Sequence, residues 1–348
     1  MNLSEFYLLN VGGGSSGGGG GAILPLSYDR RVFTEGGTPW IYKGVSFFKI
    51  GELARTGQWA LIDGILDDFD GFNVARAFDY VTWIGTGWES PGANVWLETV
   101  EHLRARGWRL ELCLLTDDDA ARLGPAKTLV GQLSASPLSN LLIEISNEPR
   151  ANGKRIDVEA LHAVCDASAL PYASGNNALD EPFFGRYITH HSPRDGEWQR
   201  KGGHDLMEFY TGAGPEGPHP PWQIPAVADE PMRPDEDGYH PENYKAYFAS
   251  CALLGGGATL HYQGGKFGQR PTADEMRCVK AALEGLNAIP AGTPNASPGY
   301  RRIDEQGKSL RTYCCGDRMV RIPPLTTTAA PEAGWVDIYG DGICWRKS

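Results

Sequence analysis

Between Trp40 and Ile303 the chain alternates short apolar runs with segments whose apolar residues recur three and four positions apart. The clearest run, Leu141-Leu142-Ile143-Glu144-Ile145-Ser146, has the texture of a strand buried on both faces and ends abruptly at Asn147-Glu148-Pro149. Pro149 has no N–H to give to a sheet ladder, and it biases Glu148 toward an extended backbone. Seven further runs read as strands: 41–48, 71–78, 108–115, 171–177, 186–191, 224–229 and 258–263. Helical spacing lies between them. Leu53, Trp59, Ile62 and Leu66 form one apolar stripe, and Trp96, Val100 and Leu103 another within 95–106. Segments 126–133, 156–165 and 242–254 continue the pattern, with Pro241 suited to a first turn and Gly255 to an end. Thr272 and Glu275 make a capping-box pattern for a last helix carrying Met276, Val279 and Leu283. Eight strands alternating with helices over about 250 residues predict an α/β chain folded as a (β/α)8 TIM barrel.

The texture changes at both ends. After Ala288, runs at 300–303, 310–314, 318–322, 335–339 and 343–345 read as short strands punctuated by Gly307, Gly316 and Gly340. They predict a small β-rich C-terminal region, 291–348, beside a barrel of 22–290. Residues 1–11 form a semi-apolar peptide, and Gly12 to Gly21 follow as a glycine run interrupted only by Ser15 and Ser16. That run is a flexible tether with a random-coil reach of roughly 17 Å. The expectation for 1–21 is a docking peptide on a Gly-rich linker that reaches a protein assembly partner.

Composition narrows the class. The 348 residues are 41% hydrophobic, enough for a large core, and the formal charge is 32 − 43 = −11. An acidic chain argues against nucleic-acid and anionic-membrane partners, and no run approaches the length of a membrane-inserting helix. Seven cysteines, at 113, 165, 251, 278, 314, 315 and 344, are odd in number and lack zinc-ligand spacing, so buried thiols in a reducing compartment are expected. The N-terminus lacks the charged and apolar regions of a signal peptide.

The chemistry gathers at two strand ends. The run 224–229 closes on Asp229-Glu230-Pro231, an acid before a proline, as the fourth strand does. In a closed parallel barrel, catalytic residues sit at the C-terminal strand ends, so carboxylates from the fourth and seventh strands would meet across the mouth. Glycoside hydrolysis requires such a pair, one group protonating the leaving oxygen and the other attacking the anomeric carbon.

Asn147-Glu148-Pro149, Phe72-Asn73-Val74-Ala75-Arg76 and Glu230 together resemble the cellulase-like (β/α)8 glycoside hydrolases, the clan with its acid/base on strand 4 and its nucleophile on strand 7. The resemblance covers roughly 40–290. It implies Glu148 as acid/base, Glu230 as nucleophile, Arg76 as support for the nucleophile and Asn147 as a contact to the sugar 2-hydroxyl. It implies a carbohydrate substrate, a retaining mechanism and no cofactor; the first strand lacks the His-x-His that a metal-dependent barrel hydrolase would need, so no metal is expected. Three motifs depart from the clan. Where the nucleophile usually stands in Glu-Phe-Gly, this chain has Asp229-Glu230-Pro231, so either acid could act. Where strand 6 often carries His-x-Tyr, this chain has Thr189-His190-His191, so His191 would replace the tyrosine. Strand 8 ends His261-Tyr262-Gln263, not in tryptophan, so Tyr262 or a loop aromatic would be the sugar platform.

His190, Gln263 and Asn177 are further candidates for the cleft, as are Trp83, Trp88, Trp198 and Trp222 for stacking and Asp117 to Asp119 for polar substrate groups. Residues 1–11 are similar to N-terminal docking peptides of bacteriophage structural proteins, so attachment to a virion is the expected location, with the cytoplasm as the alternative. The competing reading is a catalytically decayed carbohydrate-binding or structural virion protein on the same barrel.

Overall fold

The computed structural model describes residues 23–82, 87–116, 120–148, 158–166, 168, 170–173, 175, 185–192, 194, 198–199, 206, 213–214, 217–218, 223–292, 300–304, 311–315, 318–322, 333–337 and 345–347. At its centre are eight parallel strands: β1 Tyr42–Ser46, β2 Val74–Phe78, β3 Arg109–Leu115, β4 Leu141–Ser146, β5 Tyr172–Ala173, β6 Ile188–His190, β7 Ala226–Ala228 and β8 Gly257–Leu260. Their order is β5-β4-β3-β2-β1-β8-β7-β6, so β8 closes on β1. The seam between β5 and β6 is bridged where the Arg186 N–H donates to the Tyr172 carbonyl at 2.8 Å. All eight strands expected from the sequence are present, none longer than expected, the eighth starting one residue early at Gly257.

Alternation along each strand divides the residues between two cores. Val45, Ala75, Leu110, Leu112, Ile143, Ile145, Ala226, Ala258 and Leu260 belong to the larger core, shared with the helices. Tyr42, Val74, Leu142, Ala173, Tyr187 and Val227 form a second cluster with Leu26 and Phe33. Phe33 comes from a three-stranded antiparallel sheet, Leu26–Asp29, Val32–Glu35 and Thr38–Trp40, which plugs the N-terminal end of the barrel. The hydrophobic pattern did not announce this sheet, because its strands are only three or four residues long and mostly not buried.

The helix Pro241–Leu254 is buried on almost every side, since it packs between the helix Ala273–Asn287 and the C-terminal strands. Thr272 caps Ala273–Asn287 reciprocally: its Oγ1 accepts the Glu275 N–H at 3.2 Å and Glu275 Oε2 accepts the Thr272 N–H at 2.8 Å. The C-terminal strands Tyr300–Asp304, Arg311–Cys315, Arg318–Ile322, Trp345–Lys347 and Trp335–Asp337 form one antiparallel sheet outside the barrel. Among the described residues, no helix is long and apolar enough to cross a membrane. Cys113, Cys165, Cys251 and Cys278 are buried thiols outside any disulfide.

Candidate active site

Arg76 is the hub of the site. It sits on β2 between Ser46 of β1 and Glu111 of β3 and is fully buried. Its guanidinium lies over the stacked rings of Phe48 and Phe78, 5.6 and 5.0 Å from their centroids. Nη1 donates to Glu230 Oε1 at 2.7 Å, Nη2 donates to Asn147 Oδ1 at 2.9 Å and lies 2.7 Å from Glu144 Oε2, and Nε lies 2.6 Å from Asp229 Oδ2. One cation thus ties β4 to β7 across the barrel. Such a buried cation is stable only while its carboxylates surround it. Deeper in the barrel, Glu111 accepts from the Tyr42 hydroxyl at 2.5 Å and from the Tyr187 hydroxyl at 2.7 Å. Burial, with Asp229 and Glu144 nearby, pushes the Glu111 carboxyl up to about 8. Burial does the same to Glu144, up to about 7, against the pull of Arg76.

The two candidate carboxylates meet above this layer. Glu148, His191 and Glu230 each offer an atom within 4.8 Å of the others, so an oxygen of Glu148 and one of Glu230 are within that distance. His191 Nδ1 is 3.0 Å from Glu148 Oε1 and 3.8 Å from Glu230 Oε2. Burial opposes charge on His191, but Glu230 and the hydrogen bonds to Asp229 and Glu148 outweigh it and raise the imidazole to about 10. Burial also works against the Glu230 carboxylate, yet the charges of His191, Arg76 and Arg194 hold it well below its usual range. Arg194 donates to Glu230 Oε2, so both oxygens of Glu230 carry a guanidinium. Asp229, one residue earlier, is sealed against Arg76 with no exposure, which leaves Glu230 as the acid of that pair nearer the mouth.

The backbone expected at Glu148 needs correction. Its φ is +53°, in the left-handed region and not extended, despite the following proline. A non-glycine residue there is strained, and strain of this kind persists where the surroundings over-determine the backbone. Here the Arg76–Asn147 and His191–Glu148 hydrogen bonds grip its own side chain and that of its neighbour. Its carboxyl is also lowered, chiefly by the hydrogen bond from His191, against burial and the charge of Glu230. In this state the exchangeable proton resides on His191.

The other candidates scatter. His190 follows the inward Thr189, whose Oγ1 donates to Glu144 at 3.1 Å; alternation therefore puts His190 on the outer face of the sheet, where it is buried. Tyr262 is no sugar platform: it is fully buried, 4.9 Å from the Phe69 ring, and its hydroxyl donates to the Gln269 carbonyl. Gln263 starts the short helix Gln263–Phe267, and its backbone N–H donates to Glu275 Oε1 at 3.1 Å. Trp88 and Trp198 are buried, Trp198 against Tyr244 and Tyr247, so neither offers a face to a sugar. Asn177, Trp83, Trp222 and Asp117 to Asp119 lie outside the described residues.

Sequence reasoning passed over His261, Glu144 and Arg194. His261 is buried at the end of β8, with Nδ1 2.9 Å from Ser46 Oγ and Nε2 without a hydrogen-bond partner. Burial holds it well below its usual pKa, so it is a neutral imidazole. Glu144 had a readable signal: it shares strand parity with Glu148, inside an otherwise apolar run. Glu148, His191 and Glu230 are also the chemical types that ligate metals. The proton on His191 and the two guanidinium groups on Glu230 oppose a further cation among them.

No family model and no curated protein matches the sequence. Solved structures do match the fold. One glycoside hydrolase aligns with a TM-score of 0.55 at 12% identity, over 86% of this chain and 83% of its own. An endo-1,4-beta-mannanase from Rhizomucor miehei aligns with a TM-score of 0.51 at 10% identity, over 76% of this chain and 99% of its own. With the eight-stranded parallel barrel, these alignments show that the chain has the (β/α)8 fold found in solved glycoside hydrolases.

Proposed function

We propose that this chain is a retaining glycoside hydrolase acting on a polysaccharide or oligosaccharide. The observation that carries the reading is the approach of a Glu148 oxygen to within 4.8 Å of a Glu230 oxygen, with His191 beside both. Retention takes a carboxyl separation of about 5–5.5 Å, whereas inversion leaves room for a water at about 6.5–9.5 Å. In the first step the Glu230 carboxylate attacks the anomeric carbon, the glycosidic C–O bond breaks, and Glu148 delivers a proton to the leaving oxygen. That proton reaches Glu148 from His191 Nδ1 along their 3.0 Å hydrogen bond. In the second step Glu148 takes a proton from water, and the resulting hydroxide displaces Glu230 from the glycosyl ester.

The competing reading, a decayed barrel that only binds glycans, is served less well by the site. A buried arginine, a charged imidazole and two close carboxylates are costly to keep in a core without chemistry. The mannanase among the structural matches makes β-1,4-linked polysaccharides reasonable first substrates to assay. Turnover of a glycan panel, with NMR of the first-formed anomer, tests the proposal. Retained configuration, and loss of turnover in Glu148→Gln and Glu230→Gln, are expected. Binding without turnover by the unaltered protein would favour the decayed reading, and an inverted product would overturn the roles. We further propose that residues 1–21 attach the barrel to a larger assembly, such as a virion. The apolar peptide and its glycine tether support that reading.

A further inference from the structure

We propose that the glycan entering this cleft carries an anionic group, a carboxylate or a sulfate ester, bound by Arg194 together with Lys266 and Arg233. The inference rests on the hydrolase reading above and names the class of its substrate.

The first observation is where three cations fall. β6, β7 and β8 are neighbours in the barrel, and the chain beyond each brings one cation to the same side of the mouth. Arg194 follows β6 and donates to Glu230 Oε2, with 35% of its side chain exposed. Arg233 follows β7, with Asp235 and Glu236 at 3.1 and 2.6 Å. Lys266 lies in the helix Gln263–Phe267 beyond β8 and is partly buried. The three act on each other: burial first, then Arg233 and Arg194, lower the Lys266 ammonium, against the opposing pull of Glu230 and Glu236. All three also bear on His261, whose buried Nε2 has no hydrogen-bond partner. In a chain of net charge −11, three half-buried or exposed cations thus share one side of the mouth, Arg194 paired with Glu230 and Arg233 with its own loop acids. An anion placed among them would relieve that repulsion.

The second observation concerns the nucleophile. Oε2 is the Glu230 oxygen nearer His191 Nδ1, at 3.8 Å, and so is on the side of the acid. As that oxygen forms the bond to the anomeric carbon it loses its negative charge, and its hold on Arg194 weakens. A released guanidinium beside two other cations needs a new anion, and a substrate carboxylate or sulfate within reach supplies one. Exchange of Glu230 for the substrate anion would keep that guanidinium paired only when the correct glycan is bound. A neutral sugar offers no such exchange, which makes Arg194 a specificity residue as well as a binding one.

The test uses the full chain carrying Glu148→Gln, so that ligands survive. Three probes are titrated by calorimetry: an oligogalacturonate, its carboxyl-reduced counterpart, and a sulfated galactan oligosaccharide. At least one anionic probe should bind more tightly than the neutral one, and less tightly as salt rises. Adding Arg194→Gln, or separately Lys266→Gln, should weaken that binding by about tenfold or more, the size of one charge-assisted hydrogen bond. Thermal melts confirm that each variant is folded. The two anionic arms tell carboxylate from sulfate. Equal binding of neutral and charged probes, or binding indifferent to both substitutions, overturns the inference. If the unaltered protein hydrolyses neutral glycans while neither anionic probe binds the Glu148→Gln chain, the inference falls and the hydrolase reading stands. Anionic binding that depends on Arg194, with no glycan turned over, supports the inference and sinks the hydrolase reading instead.

Discussion

At the scale of single residues, the site depends on where one proton is kept. His191 at about 10 and a lowered Glu148 form a pair in which the imidazolium donates and the carboxylate accepts. Two limbs of a pH–rate profile follow. Protonation of Glu230 sets the acid limb well below 4.5, and loss of the proton from the His191–Glu148 pair sets the alkaline limb toward 10. In His191→Asn the store is gone and Glu148 must hold the proton alone, so the alkaline limb should move down by several pH units. A profile whose alkaline limb stays in place would remove His191 from the proton path. Glu148→Gln should lower kcat about 10²–10⁴-fold on substrates with poor leaving groups, and much less on an activated aryl glycoside that needs no acid. An equal loss on both substrates would mean that Glu148 is not the acid.

At the scale of elements, the barrel fixes the site through close approaches and one buried cation. Gly257 opens β8 at φ +136°, and a Cβ there would lie 1.9 Å from the Tyr42 carbonyl oxygen. Gly257→Ala should therefore cost more than the ~1–3 kcal/mol of backbone strain alone, because β8 must also move off β1. Chemical denaturation reads this directly, and a loss below 1 kcal/mol would show that the junction is looser than described. Arg76→Ala strips the partner from Glu144, Asp229 and Glu230 at once and should cost about 3–5 kcal/mol. Arg76→Lys keeps the charge but loses the planar fork. It should recover part of the stability while leaving turnover low. Full recovery of turnover by lysine would show that charge suffices and that the geometry of the guanidinium does not matter.

At the scale of the whole molecule, buried ionisable groups make stability depend on pH in a stated direction. Glu111 and Glu144 rise from 4.5 to about 8 and about 7 on folding, and His191 rises from 6.5 to about 10. The folded state binds these protons more tightly. Their stabilisation is full below the unfolded values and is lost as pH climbs through the folded ones. Glu230 and Glu148 are depressed, so their stabilisation is present above 4.5 and is lost as pH falls. The melting temperature should peak on the mildly acidic side and decline steadily toward pH 10. A curve that rises between pH 6 and 9 would contradict the placement of these groups. The tether gives the other prediction at this scale. The described contacts of the N-terminal end begin at Ile23 and Leu24, whose carbonyls accept from Ser139 and Arg109. A variant lacking residues 1–21 should keep the melt and the turnover of the full chain while losing co-purification with the assembly. A lowered melting temperature would make the peptide part of the fold.

Periodicity in the sequence was enough to determine the barrel. Eight apolar runs separated by helical spacing leave few other ways to bury both faces of so many strands, and the acid-proline ends of β4 and β7 marked the two glutamates. What the sequence left open was decided by neighbours that are distant along the chain. Strand parity on β6 and β8 turned His191 and His261 inward and His190 and Tyr262 outward, because a side chain's face depends on register and not on its type. Glu144 looked like an interruption in an apolar run until Arg76, 68 residues earlier, came to lie against it. The protonation of Glu148 followed from neither its own residue type nor its motif. It was set by the field of His191, Glu230 and Arg194, which only the closed barrel brings together.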